Sequence, residues 1–190
     1  MKTEHANGFT LLELLVAITV STILLTIGVP SFLRMVAENE RVSYSADLYS
    51  ALNYARSEAI ARNVQVVICK SDSETQCNTS ASWSDGWVIY ANTNGSVTGT
   101  QPEGAAEPIL QTHTQLNRFT LTTEDAEGNT GAANNNIANR VVYLPTGRAQ
   151  NTGIFSLCPE NTEISGGQIH ITTTGRPRST RFQCAAETDT

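Results

Sequence analysis

Between Phe9 and Phe32 this chain is almost entirely apolar, and Glu13 is the one charged side chain in the run. About 20 consecutive apolar residues span a bilayer as a helix, so the first element of the fold is expected to be a membrane-length helix. The carboxylate is the anomaly. At the centre of a bilayer an acidic side chain costs about 2.5–3.5 kcal/mol on insertion scales, and it is rarely found there without a partner. A cut after Gly8 supplies one. The new α-amine of Phe9 would carry a positive charge, and Glu13 can pair with it, most usefully on a neighbouring copy. An ordinary secretory signal does not account for this arrangement. The run is longer than the usual signal core of about 7–15 residues, and no small-x-small cleavage site follows it cleanly. A plain single-pass anchor also leaves Glu13 unexplained.

The segment Gly8-Phe9-Thr10-Leu11-Leu12-Glu13-Leu14-Leu15 resembles the processing site of type IV pilins and of type II secretion pseudopilins. The resemblance implies that a prepilin peptidase removes a leader, residues 1–8, and N-methylates Phe9. It also implies that Glu13 docks one subunit on another, so the partners are other pilin subunits. The expected location is the bacterial inner membrane, spanned once with a periplasmic C-terminal domain, and then the pilus outside the cell. Charge is nearly silent on orientation, since Lys2 lies before the run and Arg34 and Arg41 after it. Pro30 resembles the family's kinking proline: it removes a backbone donor and clashes with the preceding turn. A helix stop at Pro30 is the competing reading.

Beyond Pro30 the helical pattern resumes and becomes amphipathic. Tyr44, Leu48, Leu52, Ala55 and Ala59 recur at three- and four-residue steps, with Glu38, Glu40, Asp47 and Glu58 on other faces. One helix over residues 9–62 would reach roughly 80 Å. Residues 9–32 form its membrane or filament-core half and 33–62 its amphipathic half; residues 63–190 form a globular, β-rich domain with a C-terminal tail. The net charge of −6 persists when residues 1–8 are removed, because Lys2 and Glu4 leave together. An acidic protein needs a local basic patch to meet nucleic acid.

The four cysteines form two neighbourhoods, Cys69 with Cys77 and Cys158 with Cys184. An even number in an exported chain points to disulfides and an oxidising compartment. Three pairings are open on sequence alone; the local one, Cys69–Cys77 and Cys158–Cys184, is the expectation. Zinc is the competing reading, but no C-x-x-C occurs and His5, His113 and His170 are dispersed. No metal or other cofactor is expected.

Past residue 63 the helical period disappears. Strands are expected at 64–69, 86–90, 109–111, 119–122, 140–144, 153–157 and 168–172, the last with Ile169 and Ile171 on one face and Gln168, His170 and Thr172 on the other. They follow one another without helices between them, so the predicted fold is α+β: a long N-terminal helix packed on an antiparallel sheet. Residues 92–108 and 124–139 read as long polar surface loops. Trp83 and Trp87 read as core aromatics at a turn.

This part is similar to the FimT/GspH group of minor pilins and pseudopilins. The residues that carry the likeness are Ala51-Leu52-Asn53-Tyr54-Ala55-Arg56-Ser57-Glu58-Ala59, Val67-Ile68-Cys69, Trp83-Ser84-Asp85-Gly86-Trp87 and Tyr143-Leu144-Pro145-Thr146-Gly147. Catalysis is not expected: there is no Gly-x-Ser-x-Gly frame and no phosphate-binding loop before a helix. The suggestive segment is Gly175-Arg176-Pro177-Arg178-Ser179-Thr180-Arg181, read as a turn whose cations are all Arg, with no acid between Glu163 and Glu187. Guanidinium fits phosphate in a bidentate manner and grips a nucleic-acid backbone without reading its sequence. The segment resembles the GRxR motif of DNA-binding FimT-type minor pilins, which take part in natural transformation. That resemblance makes Arg176 and Arg178 the phosphate contacts, shaped by Gly175, with Arg181 and Arg148 as helpers. The alternative is a structural subunit without DNA binding, either a type II secretion pseudopilin or an assembly-priming minor pilin.

Overall fold

The computed structural model describes residues 10–93, 95, 108–125, 137–159 and 165–184. The expected leader with Gly8, and Phe9, lie outside the described residues, as do most of the two expected polar loops. The chain divides into two compact units, residues 1–38 and 39–190.

The first unit holds the apolar half of helix α1 (Leu11–Arg62). Thr10 caps it, its Oγ1 accepting from the Glu13 amide at 3.2 Å. Leu12, Ile23, Leu24, Ile27 and Phe32 are all exposed, on every side of the helix, as expected for an element whose surroundings are lipid or other apolar helices. Its hydroxyls are answered internally: Thr19, Thr22 and Thr26 donate to the carbonyls of Val16, Ile18 and Ile23 at 2.9, 2.8 and 2.8 Å. Backbone and side-chain polar groups in hydrocarbon need such partners. Pro30 lies inside α1, so it does not end the helix.

In the second unit α1 buries Leu48, Ala51, Leu52, Ala55 and Ala59, and Tyr44 packs edge-on against Phe119 with ring centroids 5.4 Å apart. The alanines let the sheets approach the helix backbone closely. Among the described residues eight strands follow: β1 (Gln65–Lys70), β2 (Trp87–Asn92), β3 (Ile109–His113), β4 (Phe119–Glu124), β5 (Arg140–Tyr143), β6 (Gly153–Pro159), β7 (Gly166–Ile171) and β8 (Pro177–Phe182). They make two four-stranded sheets, β3-β2-β1-β5 and β4-β6-β7-β8, antiparallel throughout. The expected helix packed on antiparallel sheet is present, with the sheet in two parts: β4 starts the second after β3, and β5 returns to the edge of the first beside β1. The shared core joins the helix residues to Val66, Ile68, Ile89, Val141 and Tyr143 of the first sheet and Phe119, Leu121, Phe155, Ile169 and Ile171 of the second. Trp83 and Trp87 are buried; the Trp83 indole donates to the Ile137 and Ala138 carbonyls at 3.2 and 3.1 Å.

One correction concerns β8. The segment from Gly175 to Arg181, read as one turn, is a turn only as far as Arg176; Pro177–Phe182 is a strand, at the edge of its sheet among the described residues. Proline at the first position and charges along the length are how exposed sheet edges avoid pairing with other chains. Both disulfides are formed, Cys69–Cys77 with Cα atoms 5.6 Å apart and Cys158–Cys184 with 5.8 Å. The second ties the segment just after β8 to β6, passing over Gly166, where a Cβ would collide with the Cys184 sulfur.

Candidate nucleic-acid interface

Two short turns meet at one end of the second unit. The first joins β7 to β8: the Gly175 amide donates to the Thr172 carbonyl at 2.8 Å, and Gly175 has φ +75°. The second follows β5: the Gly147 amide donates to the Leu144 carbonyl at 2.8 Å, and the Leu144 amide donates to the Arg148 carbonyl at 2.9 Å. Gly147 also has φ +75°, a left-handed conformation that glycine enters without steric cost. The turns touch through their backbones. A Cβ on Gly175 would collide with the Gly147 carbonyl oxygen and lie 3.1 Å from the Ala149 nitrogen and 3.2 Å from the Arg148 carbonyl carbon. The structure thus brings Arg148 and Arg176, both exposed, onto adjoining turns.

Sequence reasoning named Gly175 and Arg148 but missed this contact. A signal was present: Thr146-Gly147-Arg148 and Thr174-Gly175-Arg176 are the same tripeptide. It also missed Arg56. From the last turns of α1, Arg56 Nε donates to the Gly147 carbonyl at 2.8 Å, the same carbonyl that Gly175 abuts. Arg56 also lies near the Tyr143 phenol. Burial pushes that phenol well above its ordinary pKa, with the Arg56 charge pulling the other way. Arg56→Met should lower stability by about 1–2 kcal/mol, the value of a charge-assisted hydrogen bond to a half-buried carbonyl. It should also speed amide exchange at Gly175, read by NMR, because the second turn loses its backing.

The β7–β8 register separates the remaining arginines. His170 faces Arg178, Gln168 faces Thr180 and Gly167 faces Arg181. Directly paired residues share a sheet face. Ile169 and Ile171 are buried, so Pro177, Ser179 and Arg181 belong to the helix-facing side. Arg178 belongs to the outer side with His170, whose Nε2 lies 3.4 Å from the Thr180 hydroxyl. Arg181 is therefore not grouped with Arg176 and Arg178, contrary to the single cluster expected of one turn. Among the described residues Glu124 lies on the same row as Arg178, across Ile154 and His170, or about 14 Å from it at the usual strand spacing. Among the described residues no three metal-ligating side chains come together.

A long apolar helix leading into a small two-sheet domain with a disulfide-tied C-terminal strand defines a pilin-like protein. Residues 45–181 match the family described as type II transport protein GspH, and residues 5–29 match the prokaryotic N-terminal methylation motif. The chain belongs to the GspH family and is a minor type IV pilin or pseudopilin, a class of structural subunits. Among solved structures, the type IV minor pilin FimU of Pseudomonas aeruginosa is similar at 20% identity and TM-score 0.50, covering 76% of this chain and 90% of that one. The minor pseudopilin EpsH of the Vibrio cholerae type 2 secretion system is similar at 12% identity and TM-score 0.48, covering 75% and 97%. No curated protein matches.

Proposed function

We propose that this chain is a minor pilin that binds DNA non-specifically and supports its uptake in natural transformation. The observation that carries the reading is the pair of backbone-locked Thr-Gly-Arg turns. Their backbones touch, which supports a joint role for the exposed Arg148 and Arg176 that follow the two glycines, with Arg178 at the start of the adjoining strand. Three exposed guanidiniums, in a protein of net charge −6, make a local basic patch that suits a phosphate backbone. The test is a duplex titration of the domain from residue 39 onward at several salt concentrations. Three phosphate contacts predict a log–log slope near −2.7, about 0.9 for each contact. The affinity should be weak for a single domain and rise where several subunits share one filament. A flat salt dependence would remove the reading.

The second reading, a secretion pseudopilin or assembly-priming subunit without DNA binding, is favoured by the type II transport family match. Under both readings residues 1–8 are removed, Phe9 becomes the N-terminus, and the domain reaches the periplasm before assembly. Under both, Glu13 meets the Phe9 amine of a neighbour in the filament core. Glu13→Ala should then be processed and inserted normally but enter filaments roughly tenfold less, since the neighbour's buried amine loses its counter-charge. Immunoblots of sheared filaments against membranes give the ratio, and equal ratios would sink the charge-pair argument.

A further inference from the structure

The row that carries Arg178 continues inward across the sheet. His170 stands directly opposite Arg178 on β7; it is half-buried, while Arg178 is exposed. Side chains at directly paired positions have Cβ atoms about 4.5–5.5 Å apart, so a phosphate group held by Arg178 lies within reach of the His170 ring. The ring has a polar neighbour of its own, the Thr180 hydroxyl, 3.4 Å from Nε2. A hydroxyl rotates to donate to a neutral ring nitrogen or to accept from a protonated one. His170 can therefore gain a proton without losing this partner.

The surroundings on this face are nearly free of charge. Along β7 it is shared by Gln168, whose Nε2 donates to the Ser156 hydroxyl at 3.1 Å, and by Thr172, just past the strand, whose Oγ1 lies 2.8 Å from Thr174 Oγ1. β6 presents Ile154 opposite His170, then Ser156 and the disulfide-bonded Cys158. β8 presents Arg178 and Thr180. β4 presents Glu124 beyond Ile154, about 10 Å from His170 at the usual strand spacing, which is too far for an ion pair. Among the described residues the charged groups on this face near His170 are thus Arg178 and Glu124, and the place for an anion is on the Arg178 side. Histidine is the side chain whose charge ordinarily changes between about pH 5 and 8. We propose that His170 is a pH-dependent contact of the bound duplex, adding a fourth cation beside Arg178 when it is protonated. This inference rests on the DNA reading and gives it a regulation: the duplex is held more tightly in mildly acid surroundings and let go toward alkaline ones.

The test titrates the full chain, held in a non-ionic detergent, against a fluorescent duplex at about pH 8 and about pH 5.5, which bracket the charge change of an imidazole. The dissociation constant should be about tenfold lower at the acid pH, as one added charge-assisted contact gives. The log–log salt slope should steepen there by about 0.9. His170→Gln keeps a polar side chain but cannot take up a charge. It should bind like the unmodified chain at about pH 8 and lose the gain at about pH 5.5. His170→Lys, charged at both pH values, should bind tightly already at about pH 8. Any contribution from His113, on β3 of the other sheet, is common to all three chains. Because the coupling is reciprocal, calorimetry at about pH 6.5 in buffers of different ionisation enthalpy should show protons taken up on binding by the unmodified chain and not by His170→Gln. Affinity indifferent to pH, a pH dependence unchanged in His170→Gln, or equal proton uptake in the two would each overturn the proposal while leaving DNA binding intact. Absence of binding at both pH values would instead remove the DNA reading, and this contact with it.

Discussion

Arg176→Ala combined with Arg178→Ala should weaken duplex binding by roughly a hundredfold while the domain melts where it did before. Both side chains are exposed, so their removal opens no cavity and breaks no core contact. Each supplies a charge-assisted contact of about 1.5 kcal/mol, and two make about 3 kcal/mol, a factor of roughly a hundred. The salt slope separates this mechanism from general damage. Losing two of three phosphate contacts should reduce it by about 1.8, leaving the remainder to Arg148. A loss of affinity at unchanged slope would mean that the arginines hold the turn rather than the phosphate. Unchanged affinity would remove DNA from the function of this chain and leave the structural-subunit reading. Lys at both positions should recover part of the affinity but not all of it, because an ammonium is a point charge and lacks the planar bidentate fork.

Much of the architecture was readable because its physical causes are local. The Leu48, Leu52, Ala55, Ala59 spacing marks the buried face of α1, and the alternation around Ile169 and Ile171 marks which side of β7 faces the core. The cysteine neighbourhoods anticipated both disulfides. What was not readable depends on contacts far apart in sequence. Pro177–Phe182 has one proline, two arginines and two hydroxyl residues in six positions, a composition that periodicity counts as a turn. It is a strand because β7 and the Cys158–Cys184 bond hold it in place, not because its own residues favour one. The same holds for the division into two sheets, which no strand-by-strand reading distinguishes from one. At the site, the Arg-rich motif named Arg176 and Arg178, but only the register shows that Arg181 turns to the other face. Arg56 looked like one more polar residue on an amphipathic helix, and its role emerges only when a carbonyl 91 residues away lies 2.8 Å from its Nε.

Gly175→Ala should be the most damaging single-methyl change in the site, and it has an internal control. Two costs add. The left-handed backbone at φ +75° strains any residue with a Cβ, by about 1 kcal/mol. The new carbon also runs into the backbone of the neighbouring turn at Gly147, Arg148 and Ala149. A side chain can swing away from such an intruder, but a hydrogen-bonded turn backed by Arg56 cannot, so overpacking adds about 1–3 kcal/mol. The sum, about 2–4 kcal/mol, should lower the melting temperature of this domain by roughly 6–12 °C. Gly95 has nearly the same φ, +74°, but among the described residues nothing lies within 4 Å of a Cβ built on it. Gly95→Ala therefore carries the strain without the collision and should cost only about 1 kcal/mol. The difference between the two variants isolates the contact between the turns. If the turns jointly present Arg148 and Arg176, Gly175→Ala should also weaken duplex binding well below melting, at a temperature where Gly95→Ala binds normally. Equal melting of the two variants would mean that the turns part without cost and that each arginine acts from a turn of its own.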